Sequence, residues 1–424
     1  MQAPQERDYF TDLSVLKEPY AYFEELRARG PVCRLACRDI VVVTGFREAL
    51  EVLNNSQDFS SAIAPQGAAA PLPFEPSGDD IGAQIEAHRP QFLGGELLVA
   101  CDDRRHAYSR SIISRLFTPS RLKAREAFIT QFADTLVADA VARGGCELIG
   151  EIATPFVTHI IADLLGVPQD DRKVFMDAIA AGPPPGNMDS EDARHQHSPL
   201  ELMGAYFYQY VTDRRASPRQ DVLTELATAT YPDGSMPDAL EIVRLATFLF
   251  GVGQDTSAKL LGNAMRHVVE VPGLQQKLRQ DLSLIPPLIE EVLRLEGSTK
   301  ATFRLARKNT RIGDMEIPAG TRVMIALAAA NRDPQRWGCP RELQLGRDRI
   351  REHLAFGRGA HVCAGAPLAR VEVRIILERF LEHTCAIDLL ETRHGPRGNR
   401  TLDYEPSFII RGLESLHLAL TPNR

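Results

Sequence analysis

The residues best suited to chemistry cluster in one stretch, Phe356-Gly357-Arg358-Gly359-Ala360-His361-Val362-Cys363-Ala364-Gly365. A lone cysteine follows a glycine-punctuated loop and precedes a helical pattern. The glycines permit positive φ and close approach of backbone to a flat partner. A helix beginning just after the cysteine turns its free N–H groups and positive dipole end toward the sulfur. That setting favours thiolate over thiol and suits ligation of a metal held from one side. Three further groupings have chemical potential. Glu291 and Arg294 share a helix face and can pair. Asp255 and Thr256 end an apolar run, where buried polar groups are costly unless partnered. Gly251 and Gly253 each weaken that helix by ~1 kcal/mol relative to Ala, which allows a distortion that a ligand or water could enter. His106 and Arg110 share another helix face, while Arg304 lies on a strand and His361 in the cysteine loop.

The elements that must position these groups are mostly helical. Helical spacing is expected from Tyr20 to Arg29 and from Phe46 to Leu53, with two short strands between, Val32 to Leu35 and Ile40 to Thr44. Residues 62 to 85 are rich in Ala, Pro and Gly and predict a long irregular loop. Helix dominates from Asp103 to about Val271, with breaks that include a stiff connection at Gly182 to Asn187. Strands return at Arg304 to Arg307 and Thr321 to Ile325, and a strong helix runs from Pro367 to Leu381. The expected class is mainly α with a small β lobe, and no two-domain boundary stands out.

Composition narrows the function classes. With 49 Lys+Arg against 56 Asp+Glu the chain has a formal charge of −7, which argues against broad nucleic-acid binding. Hydrophobic residues at 44% exclude dominant disorder. The start, MQAPQERDYF, has no signal-peptide pattern, and the apolar run Leu245 to Gly253 is too short to span a bilayer. Seven cysteines, an odd number with no CxxC pair, fit reduced thiols. A cytoplasmic protein without a membrane segment is expected.

The cysteine loop resembles the haem-binding signature of the cytochrome P450 family, FxxGxxxCxG, at Phe356, Gly359, Cys363 and Gly365. Glu291 and Arg294 resemble its ExxR motif, and Arg347 its third partner, with Leu343 where an aromatic is usual. Gly253, Asp255 and Thr256 resemble its oxygen-activation segment, with Val252 where Ala or Gly is usual. The resemblance, from Asp12 to Leu420, implies a triangular helical bundle around one haem b, a single domain over 1–424. Its β-rich lobe would take about 31–46 and 301–327, and its helical haem lobe about 50–300 and 330–385. Cys363 would ligate iron. Phe356, Gly357 and Gly365 would border the haem, and His106, Arg110, Arg304 and His361 would hold its propionates. Glu291, Arg294 and Arg347 would be structural.

By the same resemblance, Thr256 and Asp255 would manage protons while one oxygen from O2 enters an apolar or aromatic small molecule. The pocket wall would come from 65–100, 178–206, Phe248 to Gly253, Thr299 to Phe303 and Phe408 to Ile410. The residues named for it are Phe248, Val252, Gly253, Ala301, Thr302 and Phe408. Glu86, His88 and Arg89 have two readings, solvated groups or polar substrate anchors, and the first is favoured. Electrons would come from a ferredoxin with its reductase, docking on Arg104, Arg105, Arg115, Arg121 and Arg358. Two alternatives stay open: peroxide-driven or coupling chemistry, and a non-catalytic haem sensor. The Asp255-Thr256 pair argues against the sensor and against direct use of peroxide.

Overall fold

A computed structural model describes residues 7–35, 37–181 and 199–423. The expected connection at Gly182 to Asn187, and part of the expected wall at 178–206, lie outside them. The helical part is built on one 32-residue helix, Ala239–Glu270, about 48 Å long at 1.5 Å per residue. Asp238 caps it, its carboxylate accepting the Glu241 amide. Around it pack Thr154–Leu164, Pro199–Ala216, Ile285–Glu296 and Ala366–His383. Buried faces such as Leu245, Leu249 and Phe250 drive this packing, each removing apolar surface from water. The Asp255-Thr256 pair therefore lies within a helix that continues to Glu270, not at its end.

The β lobe is a five-stranded sheet in the order Val32–Leu35, Ile40–Val43, Arg322–Ile325, Thr302–Ala306, Phe59–Ser60. The pair Ile40–Val43 and Arg322–Ile325 is parallel, the rest antiparallel. Strand alternation sends Ile40, Val42, Phe303 and Met324 into one core layer. It sends Val41, Val43, Val323 and Ile325 into another with Trp337. A strand buried on both faces reads as a continuous apolar run, as Ile40-Val41-Val42-Val43 does. Alternation also turns Arg304 away from the layer that takes Phe303 and Leu305. This strand starts at Thr302, two residues earlier than the sequence pattern suggests.

Residues 62 to 81 are irregular but packed, with Ala62, Ile63, Ala68 and Ile81 fully buried, and a short helix follows at Gly82–Ala87. A second sheet, Gly145–Glu147, His417–Pro422 and Thr384–Leu389, joins segments distant in sequence and had no clear local signal. Among the described residues no helix is long and apolar enough to cross a membrane.

Candidate active site

The cysteine loop is shaped by its own backbone. The Cys363 N–H donates to the Phe356 carbonyl at 2.9 Å, and Gly357 N–H to Leu354 at 2.9 Å. Gly357 and Gly359 take φ of +67° and +70°. A Cβ on Gly359 would also lie 2.3 Å from the Leu53 carbonyl oxygen, so this turn requires glycine twice over. The helix Ala366–His383 follows directly, and the Gly365 and Ala366 N–H groups point at the sulfur. Burial pushes the Cys363 thiol up, while those N–H groups and the Arg110 guanidinium oppose the rise. The accessible face of Cys363 opens onto a cavity.

Two adjacent glutamates fix this loop from behind. Glu291 and Arg294 are both fully buried, with Nε to Oε2 at 2.5 Å. Arg347 Nε donates to the other oxygen of Glu291 at 2.7 Å, and the Gln344 amide joins it at 2.9 Å. Arg294 also donates to the Pro340 and Glu342 carbonyls, at 2.7 and 3.0 Å. Its buried charge is thus satisfied on every side. Glu290, one position earlier on the helix, meets different partners. Arg370 donates to it at 2.6 Å and His353 Nε2 lies 3.0 Å away. Arg370 in turn lies over the Phe356 ring, 4.7 Å from its centre. Sequence reasoning found the first network and missed the second, although Glu290 stands beside Glu291.

The cavity over the sulfur collects the four residues expected to hold the propionates. His106, Arg110, Arg304 and His361 all line it, with Phe356, Gly357, Cys363 and Gly365. The rings of His106 and His361 are 4.0 Å apart. Arg304 is 5% exposed and bonds only to Phe303 O and Thr302 Oγ1 among the described residues. Arg110 forms no ion pair among them. Burial lowers Arg304 to about 10. It lowers His361 to about 2, with Arg304, His106 and Arg110 adding to the drop. Two desolvated guanidinium groups without a counter-ion among the described residues, beside two imidazoles able to donate N–H bonds, make a site for an anion.

The opposite wall comes from the central helix and two loops. Phe248, Val252, Gly253 and Thr256 line it, with Ala301 and Thr302 and, from the expected segment Phe408 to Ile410, Ile409 and Ile410. Phe408 does not. It packs in the β lobe against Phe10 and Phe303, with ring centres 5.8 and 5.9 Å apart, because its segment is irregular and follows no strand parity. Gly253 serves packing, since a Cβ there would meet Ile161 at 3.1 Å. Val252 lines the wall and is 43% exposed. Thr256 Oγ1 donates to Val252 O at 3.1 Å, and Ser298 Oγ donates to Thr256 O at 2.6 Å. Asp255 does not line the cavity; it pairs with Lys259 at 2.6 Å. Glu372, fully buried beside Ser257, is raised by burial to about 8.

Two expectations about charge change. Arg89 is buried, not solvated, donating to Glu86 at 2.8 Å, Asp102 at 2.9 Å and Ala100 O at 2.6 Å. Glu86 is exposed, as expected, and His88 is half-buried against Phe74. Of the five arginines expected to form a basic face, three carry ion pairs: Arg104 with Asp233, Arg105 with Glu96 and Arg121 with Glu225. Arg115 and Arg358 donate only to backbone carbonyls among the described residues.

Comparison with known proteins agrees with this fold. The cytochrome P450 family model matches residues 193–384. A substrate-free cytochrome P450, CYP150A6 from Mycobacterium marinum, is 48% identical, with a TM-score of 0.92 over 99% of each chain. Cytochrome P450 144 of Mycobacterium tuberculosis is 30% identical over 99% of this chain and 93% of its own. The cytochrome P450 monooxygenase PikC of Streptomyces venezuelae is 30% identical over 94% of this chain and 90% of its own. With this fold, and with 30% identity to a cytochrome P450 over nearly its whole length, the chain belongs to the cytochrome P450 family of haem monooxygenases.

Proposed function

We propose that this enzyme inserts one oxygen atom from O2 into an apolar or aromatic small molecule, with electrons from a ferredoxin and its reductase in the cytoplasm. The observation that carries the reading is the cavity itself, with a thiol and two arginines unpaired among the described residues on one side, and on the other an apolar wall set with a few hydroxyls, that of Thr256 among them.

The residues fit haem b. Arg110 and Arg304 have no carboxylate partner among the described residues, and two propionates would supply them. His106 and His361 would add donors, and Cys363 would hold the iron through its sulfur. When bound, haem supplies the electron-rich iron chemistry that activates O2. The protein's own part is positional. Leu98, Val99, Phe248, Leu249, Ile409 and Ile410 exclude water and hold an apolar substrate. Thr256 keeps a proton at Oγ1, parked on Val252 O and free to rotate toward the cavity. Asp255, its neighbour, exchanges protons with the solvent side. Arg115 and Arg358 are the basic groups left for an acidic donor protein to meet.

Cys363→Ser tests the base of this reading. It should abolish the red-shifted ferrous–CO Soret band, and a variant that keeps the band overturns the thiolate assignment. Thr256→Ala should keep that band and ligand-induced spectral shifts while diverting reducing equivalents to peroxide. Unchanged coupling removes Thr256 from the proposal.

A further inference from the structure

We infer that Lys259 is a positioning residue that ties Asp255 to the 404–413 loop walling the cavity; this rests on the monooxygenase reading, in which Asp255 handles protons. Lys259 lies one helical turn after Asp255 and is 2% exposed. Its ammonium is 2.6 Å from Asp255 Oδ1 and 2.8 Å from Glu405 Oε2, the second at ion-pair distance without hydrogen-bond alignment. A buried ammonium is costly unless paired, and here one cation is shared between two carboxylates. Its aliphatic stem is fixed as well. A Cβ on Gly412 would lie 2.3, 2.5 and 2.7 Å from Lys259 Cγ, Cδ and Cε. Only a glycine at 412 leaves room for the stem, and the ammonium is thereby aimed between its partners.

Glu405 and Gly412 belong to one closed loop. The Glu405 N–H donates to Gly412 O at 3.0 Å, and Tyr404 bridges to Leu413. The same loop carries Ile409 and Ile410 in the cavity wall, where Ile409 O accepts the Lys300 N–H at 2.9 Å. One rigid connection therefore runs from the substrate wall through Glu405 and Lys259 to Asp255. Other charges lie close by. Burial pushes Glu405 up, Lys259 opposes the rise, and Asp255 and Glu414 add to it. Glu414 pairs with Lys17 at 3.4 Å. On the other side of the central helix, Glu372 faces Ser257. Lys259 is the cation between Asp255 and the loop carboxylates, so it sets the charge that Asp255 experiences.

Lys259→Met, Glu405→Gln and Asp255→Asn in the haem-loaded enzyme test this. The readout is the pH profile of ferredoxin-driven NADH oxidation and peroxide release, with dodecanol as the apolar probe. Removing a neighbouring cation favours a neutral acid and removing a neighbouring carboxylate favours a charged one. The pH midpoint should therefore rise by about one pH unit in Lys259→Met. It should fall in Glu405→Gln. Opposite displacements are a signature that loss of packing does not produce. Hydrogen exchange, read without turnover, should quicken across 404–413 in Lys259→Met. Wild-type midpoints in both variants, or displacement in the same direction, overturn the inference while leaving the monooxygenase reading intact. If Asp255→Asn alone leaves rate and coupling unchanged, the proton role of Asp255 fails, and the inference with it.

Discussion

Glu290→Gln probes how firmly the cysteine loop is anchored. Glu290 is 4% exposed and accepts Arg370 Nε at 2.6 Å and Nη2 at 3.0 Å. His353 Nδ1 accepts the Ala355 amide at 3.2 Å, so its Nε2 has the proton and donates to Glu290 at 3.0 Å. Burial raises the carboxyl, but these donors overcome burial and hold it at about 2 against an ordinary 4.5. The difference, 4.5 − 2 = 2.5, corresponds to about 3 kcal/mol at about 1.36 kcal/mol per pH unit. Because the folded value is depressed, this stability is present above about pH 4.5 and is lost as pH falls through about 2. Urea unfolding followed by far-ultraviolet circular dichroism and Soret absorbance measures it. The gap between wild type and variant should be about 3 kcal/mol near neutrality and narrow by about 2 kcal/mol near pH 3. The arginine left short of a partner in the variant adds a cost that does not titrate in this range. A gap that stays constant or widens on acidification refutes the reasoning.

Gly359→Ala should destabilise the loop by about 1–3 kcal/mol, through its positive φ and the Leu53 carbonyl, and lower haem content at matched expression. Absorbance at the Soret maximum relative to protein checks this. Arg304→Leu and Arg110→Leu should each speed haem transfer to apomyoglobin by about tenfold or more, since a hydrogen bond to a charged group contributes about 1.5–3 kcal/mol. Arg358→Glu should slow ferredoxin-driven reduction in a salt-dependent way, and more than Arg105→Glu, whose charge is already paired with Glu96. Stopped-flow reduction rates against ionic strength decide it.

The cysteine loop was legible because its chemistry is local. Cys363, its glycines and the following helix lie in one short stretch, and backbone sterics dictate where glycine must stand. The Glu291–Arg294 pair was legible by helical spacing, and the resemblance supplied Arg347. What sequence could not reveal was which distant charge meets which. Arg89 looks solvated beside Glu86 and His88 until Asp102 closes over it. Arg104 and Arg121 look like a free basic face until Asp233 and Glu225, more than a hundred positions away, neutralise them. Phe408 and Ile409 are neighbours in an irregular segment without a period, so nothing local says which one enters the cavity.

Lys259 shows both sides of that limit. Its pairing with Asp255 is an i,i+4 contact readable from the sequence, and an exposed pair of that kind contributes only a few tenths of a kcal/mol. Burial changes its meaning, and the burial comes from Gly412 and Glu405, about 150 positions later. A local motif proposes a charge pair; whether the pair is a solvated surface contact or a buried link to a cavity wall depends on what the chain's far end folds over it.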